Sequence, residues 1–170
     1  MNRLDIYTGF YNSPIGCIEI NGTANGLCGI RFINASCPDR PIPQLLTPAC
    51  QQIDEYFNNK RVEFNLPIDF NGTDFQVKVW QAVGQITAGS TSNAHEIASL
   101  LNMPNAALAV HAAIIQNPLA LIVPCHRVQS HIAEEPTQPN CCVGGAKRHQ
   151  YLQHLEASYL SHGLEPTLAS

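Results

Sequence analysis

A change of hydrophobic period near Asn71-Gly72 constrains this chain more than any other feature. Before it, short runs alternate or are β-prone and are separated by turn residues. Ile6–Tyr11 ends at Asn12-Ser13-Pro14, and Cys17–Ile20 alternates up to Asn21-Gly22, a strong hairpin signal. Leu27–Ile33 supplies a third strand, and the proline-bearing stretch from Asn34 to Pro43 reads as a loop. Leu45–Asn58 reads as a helix, with Thr47-Pro48 suited to a cap and first turn and with Ile53, Tyr56 and Phe57 on one face. Arg61–Phe70 alternates weakly and is expected to be a last strand.

After residue 71 the spacing becomes helical. Thr73 or Asp74 caps a helix carrying Phe75, Val79, Trp80 and Val83; Thr91-Ser92-Asn93 caps a second over Ala94–Asn102; Pro104-Asn105 starts a third over Ala106–Gln116. Two short helices joined by a tight turn form a helix-turn-helix pattern. An apolar strand is expected next, leading into Pro124-Cys125-His126-Arg127, then a polar loop over Gln129–Asn140. Gly144-Gly145 precedes a last helix from Ala146 to about Ser158. The fold class is therefore α+β in two domains. Residues 1–70 form a small antiparallel β-sheet domain with a helix. Residues 71–170 form a helical domain with a helix-turn-helix (winged-helix-like) and an active-site strand.

Pro124-Cys125-His126-Arg127 concentrates the reactive chemistry. Only a thiolate attacks as a nucleophile, and a neighbouring histidine can take its proton while an arginine adds positive potential. Pro124 sets one φ angle and removes a backbone donor, so Cys125 leaves the preceding segment in a defined direction. Taken alone, the motif fits better a buried structural cysteine beside a surface His-Arg pair, since free cysteines are usually buried and inert. In an extended segment Cys125 and His126 would point to opposite faces, so a turn or a bridging water would be needed to join them.

Composition narrows the classes. Charged residues are 13% and hydrophobic residues 45% of the 170, as in a globular chain. No run approaches the roughly 18 apolar residues of a membrane span, and Met1–Asp5 opens no secretory signal, so a cytoplasmic or nuclear location is expected. Seven cysteines at irregular spacing, without C-x-x-C pairs, predict reduced thiols rather than a disulfide framework or a zinc ribbon. The formal charge of −4 leaves no overall basic footprint for nucleic acid.

The order of elements resembles the O6-alkylguanine-DNA alkyltransferases. The resemblance rests on Ser13-Pro14-Ile15-Gly16 with Gly26-Leu27, on Gly72–Trp80, on Asn117-Pro118, on Ile122–Val128 around the cysteine, and on Gly144-Gly145 with the helix to Glu156. It implies a suicide reaction in which a flipped, alkylated guanine of double-stranded DNA loses its O6-alkyl group to the protein. It further implies Cys125 as acceptor, His126 as base, Glu156 as the group that orients His126, and Asn117 as a support of the turn, in a Cys–water–His–Glu relay. Pro124, Val128, Ala94, Cys142, Val143 and Gly144 would line the substrate pocket. No cofactor is implied, and the chain would act as a monomer. Some members carry an N-terminal zinc, but Thr23 and Cys28 stand at two ligand positions here, and no metal is expected. Arg127 reads as a structural ion-pair partner.

The departures gather at the DNA-contacting positions. Leu108 stands where the family carries an intercalating arginine, His111 and Ala112 replace small residues of the recognition helix, and Ala94 replaces a base-contacting tyrosine. Cys142 and Val143 replace a tyrosine and its small polar neighbour. From Gln81 through Leu121 there is no lysine or arginine. Leu108 could still act as an apolar wedge. Two readings follow: repair of alkylated DNA with a weakened DNA face, or self-labelling by free O6-benzylguanine-like compounds without DNA. A non-catalytic lesion binder fits poorly, because such proteins replace the cysteine.

Overall fold

The computed structural model describes residues 5–129, 143–161 and 163. Three antiparallel strands, β1 (Tyr7–Ser13), β2 (Gly16–Thr23) and β3 (Gly26–Ile33), form a sheet in that order. The β2–β3 turn falls at Ala24-Asn25, not at Asn21-Gly22, where the register instead shifts by a bulge. Gly22 lies against Leu46, and a Cβ there would come within 2.8 Å of that side chain. Its glycine thus serves packing rather than a hairpin turn. Helix α1 (Thr47–Phe57) follows a short 3-10 turn and buries Ile53, Tyr56 and Phe57, with Pro48 in its first turn and no side-chain cap.

The strand expected over 61–70 does not form. Among the described residues its only ladder contact is a bridge in which Leu27 N–H donates to Pro67 O (2.8 Å) and Asp69 N–H to Leu27 O (2.8 Å). Pro67 has no N–H to extend a ladder. Gly26, with φ at +150°, leaves room for the Pro67 carbonyl, which a Cβ would meet at 2.6 Å.

Helix α2 (Asp74–Gly84) starts with a capping box between Thr73 and Gln76, and α3 (Ala94–Leu100) with one between Asn93 and Glu96. Asn102 at φ +58° turns the chain into α4 (Ala107–Ile115), completing the helix-turn-helix. Trp80 of α2 donates its indole N–H to Ala113 O of α4 at 2.8 Å, locking that pair. Two-residue strands β4 (Ser92–Asn93) and β5 (Val128–Gln129) pair in parallel, and α5 (Ala146–Ser161) closes the chain.

One apolar core runs through both halves, from Ile18, Ile20 and Ile30 of the sheet through Ile53, Val79, Val83 and Val110 to Leu119 and Leu152. Strand β3 reaches the segment before Cys125 directly. Ile30 N–H donates to Pro118 O (2.8 Å) and Ala120 N–H to Ile30 O (3.0 Å).

A disulfide joins Cys17 to Cys37, correcting the expectation of reduced thiols. Cys17 opens β2 opposite Ile33, so the chain leaving β3 passes beside it and the two Cα atoms lie 5.2 Å apart. Irregular spacing along the chain says nothing about this proximity, which the hairpin register creates. Cys28 and Cys50 are free.

Candidate active site

The segment before the acceptor motif is a compact turn, not the expected strand. Leu121 is buried at φ +72°, a conformation costing a leucine about 1–2 kcal/mol, and Val123 N–H donates back to Leu119 O at 2.9 Å. Asn117 secures the turn from inside. Its amide donates to Val123 O (2.8 Å), and its carbonyl accepts from Leu119 N–H (2.9 Å). Cys125-His126-Arg127 then form a single 3-10 turn, with Cys125 N–H on Val123 O and Arg127 N–H on Pro124 O. A turn, rather than alternation along a strand, sets the directions of Cys125 and His126.

His126 is buried, and its Nε2 lies 2.7 Å from Oε1 of Glu156 on α5. Arg127 forks the same carboxylate, Nε on Oε2 and Nη2 on Oε1, each at 2.8 Å, and its Nη1 donates to Ile86 O. The expected ion-pair role of Arg127 is thus present. Burial alone would raise the Glu156 pKa, but the hydrogen bonds and charges of His126 and Arg127 outweigh it and hold the value at about 2. Burial pulls His126 below its ordinary value, with Glu156 opposing. At neutral pH the imidazole is therefore neutral beside an ionised carboxylate, so Nε2 carries the proton and Nδ1 the lone pair. Nδ1 has no hydrogen-bond partner among the described residues. The His126 carbonyl accepts from Gln153 at 3.0 Å and pairs with His149 Nε2 at 2.8 Å, both on α5.

Pairing of Ser92 with Val128 and Asn93 with Gln129 carries the first residue of α3, Ala94, to the segment that follows Cys125. Pro124 and Val128 are buried there, as is Val143; Gly144 is exposed at φ +73°, its carbonyl accepting from Arg148 at 3.1 Å. Cys142 lies outside the described residues. Leu108 stands exposed on α4, Ala112 is exposed one turn further on, and His111 is half-buried. Cys125 is held in a disulfide, a second correction to the expectation of reduced thiols.

Reading the sequence alone missed Tyr56. The spacing places it with Ile53 and Phe57 on one face of α1, and its hydroxyl donates to Glu156 Oε1 at 2.8 Å across 100 residues of chain. A hydroxyl on a face otherwise formed by side chains such as Ile53 and Phe57 is the available signal, since a buried hydroxyl needs a partner.

Family sequence models match nearly all of this architecture. The one described as "6-O-methylguanine DNA methyltransferase, DNA binding domain" spans residues 74–158, and the corresponding "ribonuclease-like domain" spans 6–70. The chain belongs to the 6-O-methylguanine DNA methyltransferase family. The Mycobacterium bovis methylated-DNA–protein-cysteine methyltransferase is 39% identical over 122 residues, which are 69% of this chain and 74% of the relative. A protein of the same name from Methanosarcina acetivorans is 35% identical over 129 residues, covering 72% and 83%. Among solved structures, the Mycobacterium tuberculosis O6-methylguanine methyltransferase superposes with a TM-score of 0.79 at 33% identity, covering 91% of this chain and 94% of that one. A Mycobacterium tuberculosis relative solved in complex with DNA gives 0.75 at 35% identity, covering 91% and 93%. These family relatives favour neither the DNA-independent self-labelling reading nor the lesion-binding one.

Proposed function

We propose that the protein repairs DNA as a single-turnover methylated-DNA–protein-cysteine methyltransferase, moving the O6-alkyl group of guanine irreversibly onto Cys125. The observation that carries this reading is the buried His126–Glu156–Arg127 cluster directly after Cys125, with the imidazole neutral and its Nδ1 lone pair unused among the described residues. Nδ1 takes the thiol proton, and the thiolate sulfur attacks the alkyl carbon. One C–S bond forms, the C–O6 bond breaks, and guanine leaves with the electron pair, its charge balanced by the proton His126 holds. The positive charge that forms on His126 is stabilised by ionised Glu156. Asn117 positions the turn, and Ala94, Pro124, Val128, Cys142, Val143 and Gly144 bound the base pocket.

Double-stranded DNA carrying the lesion is the partner, met by α4. Leu108, His111, Ala112 and Ala94 offer it no positive charge, so binding is weak and depends little on salt. The domain boundary falls near residue 70, the protein acts as a monomer, and a cytoplasmic or nuclear location accords with the substrate. No helix among the described residues is long and apolar enough to cross a membrane.

The step needs the Cys125 thiol, so its disulfide must first be reduced. Reduced protein incubated with an O6-methylguanine duplex, and separately with free O6-benzylguanine, at two salt concentrations is expected to gain one alkyl group, on Cys125, in both cases. Unchanged mass, or label on Cys141 or Cys142, would overturn the reading. Transfer from the free base with none from duplex DNA would restore the DNA-independent alternative.

A further inference from the structure

Glu156 Oε1 collects three donors. Two come from the acceptor motif itself: His126 Nε2 at 2.7 Å and Arg127 Nη2 at 2.8 Å. The third, the Tyr56 hydroxyl at 2.8 Å, comes from α1 in the N-terminal half. We propose that Tyr56 is a positioning residue for the alkyl-transfer reaction, setting through Glu156 how basic His126 is toward Cys125. This deepens the alkyltransferase reading and rests on it.

Its geometry separates Tyr56 from an ordinary satisfied core tyrosine. A hydroxyl that only needed a partner could take a backbone carbonyl, as Tyr159 does by donating to Tyr56 O at 3.0 Å. Tyr56 instead donates to the one carboxylate oxygen that shares the imidazole proton. Drawing charge from that oxygen weakens its pull on the Nε2 proton and lowers the basicity of Nδ1 at the far side of the ring. The hydroxyl also stops the carboxylate from rotating, since Oε1 is then held from α1 while Arg127 holds Oε2. Tyr56 itself is fixed by ring contacts to Phe57, Phe64 and Tyr159, centroids 5.4, 5.3 and 5.9 Å away. Its phenol stays protonated, because burial and then the Glu156 charge push its pKa well up, so it is a donor at every working pH. The other titratable or charged groups facing this cluster are Arg127 beside the imidazole and His149 and Tyr159 on α5. Tyr56 is the one contributed by α1.

The test compares Tyr56→Phe with Tyr159→Phe, each losing one buried hydroxyl while keeping its ring. The readouts are the pH profile of Cys125 alkylation by free O6-benzylguanine in reduced protein and the NMR titration of the His126 imidazole. With Tyr56→Phe, Glu156 pulls harder and His126 becomes more basic. Both its titration and the acid limb of the rate profile are expected to move to higher pH by about one unit. Tyr159→Phe is expected to lower the melting temperature and leave the limb in place. A His126 titration unmoved by Tyr56→Phe, or moved equally by Tyr159→Phe, overturns the proposal. Wild-type protein that fails to alkylate Cys125 would sink the alkyltransferase reading instead, while the NMR titration still decides whether Tyr56 tunes His126.

Discussion

Two regions of the second half are built to opposite rules. Around Cys125 the polar groups are sunk in the core: His126 is 1% exposed and Glu156 2%, yet Oε1 of that carboxylate accepts from His126, Arg127 and Tyr56 and Oε2 from Arg127. On the helix-turn-helix, 77% of Leu108, 67% of Leu100 and 38% of Met103 face solvent, and no lysine or arginine occurs from Gln81 to Leu121. A buried charge that loses one partner is left uncompensated, so the reactive cluster tolerates little change. An exposed face can exchange charge for apolar surface at small cost to folding, because surface substitutions usually change stability by less than about 0.5 kcal/mol. Chemistry and delivery of substrate can therefore diverge separately within one chain.

Five experiments bear on this contrast. Cys125→Ala is expected to abolish labelling completely by mass spectrometry, and unreduced wild type to label far less than protein treated with dithiothreitol. Equal labelling without reductant would mean that the disulfide does not guard the acceptor. Glu156→Gln leaves Arg127 buried without its counter-charge, which costs about 3 kcal/mol, and is expected to slow alkylation by roughly 100-fold. A variant that keeps the wild-type rate would show that the cluster is structural alone.

The pH dependence of stability follows from the same groups. Glu156 lies at about 2 against an ordinary 4.5, and His126 lies below its ordinary 6.5. Both shifts are downward, so the unfolded chain binds more protons in acid and stability falls as pH drops. Denaturant melts are expected to show constant contributions from these groups above pH 6.5, a first loss below it as the unfolded histidine charges, and a second from about 4.5 toward 2. In Glu156→Gln the lower phase should shrink, leaving what the Glu19–Arg31 and Glu55–Arg61 pairs contribute; an unchanged phase would assign it to those pairs alone.

On the exposed side, Leu108→Arg is expected to tighten duplex binding by roughly 10-fold. The salt slope should steepen by about 0.9 for the added phosphate contact, with labelling by the free base unchanged. If the free-base rate changes as much as duplex binding, the two regions are not separable.

Much of the site was legible because its parts are short and local. Asn117-Pro118, Pro124 through Val128 and Gly144-Gly145 keep their spacing whatever the fold does, and Asn117 indeed clamps Val123 from six residues away. The caps were legible to within a residue or two, as Thr73 or Asp74 and as Thr91-Ser92-Asn93, and the structure places them at Thr73 and Asn93. Failures came where partners are distant. Asn21-Gly22 looks like a turn in isolation, but packing against Leu46 made it a bulge. Leu121-Ile122-Val123 has strand-forming residues, yet with β3 already paired to Pro118 and Ala120 the chain turns back at Leu121.

The amino-acid sequence by itself determined the α+β order, the helix starts and the identity of the cysteine, histidine and arginine at the reactive turn, because these depend on residues within a few positions of one another. Only the tertiary structure decided that Cys17 meets Cys37, that Cys125 sits on a 3-10 turn, and that a tyrosine of α1 shares the Glu156 carboxylate of α5. Periodicity tells a residue which way to face. It does not tell a buried hydroxyl which acceptor, 100 residues away, the packed core will bring to it.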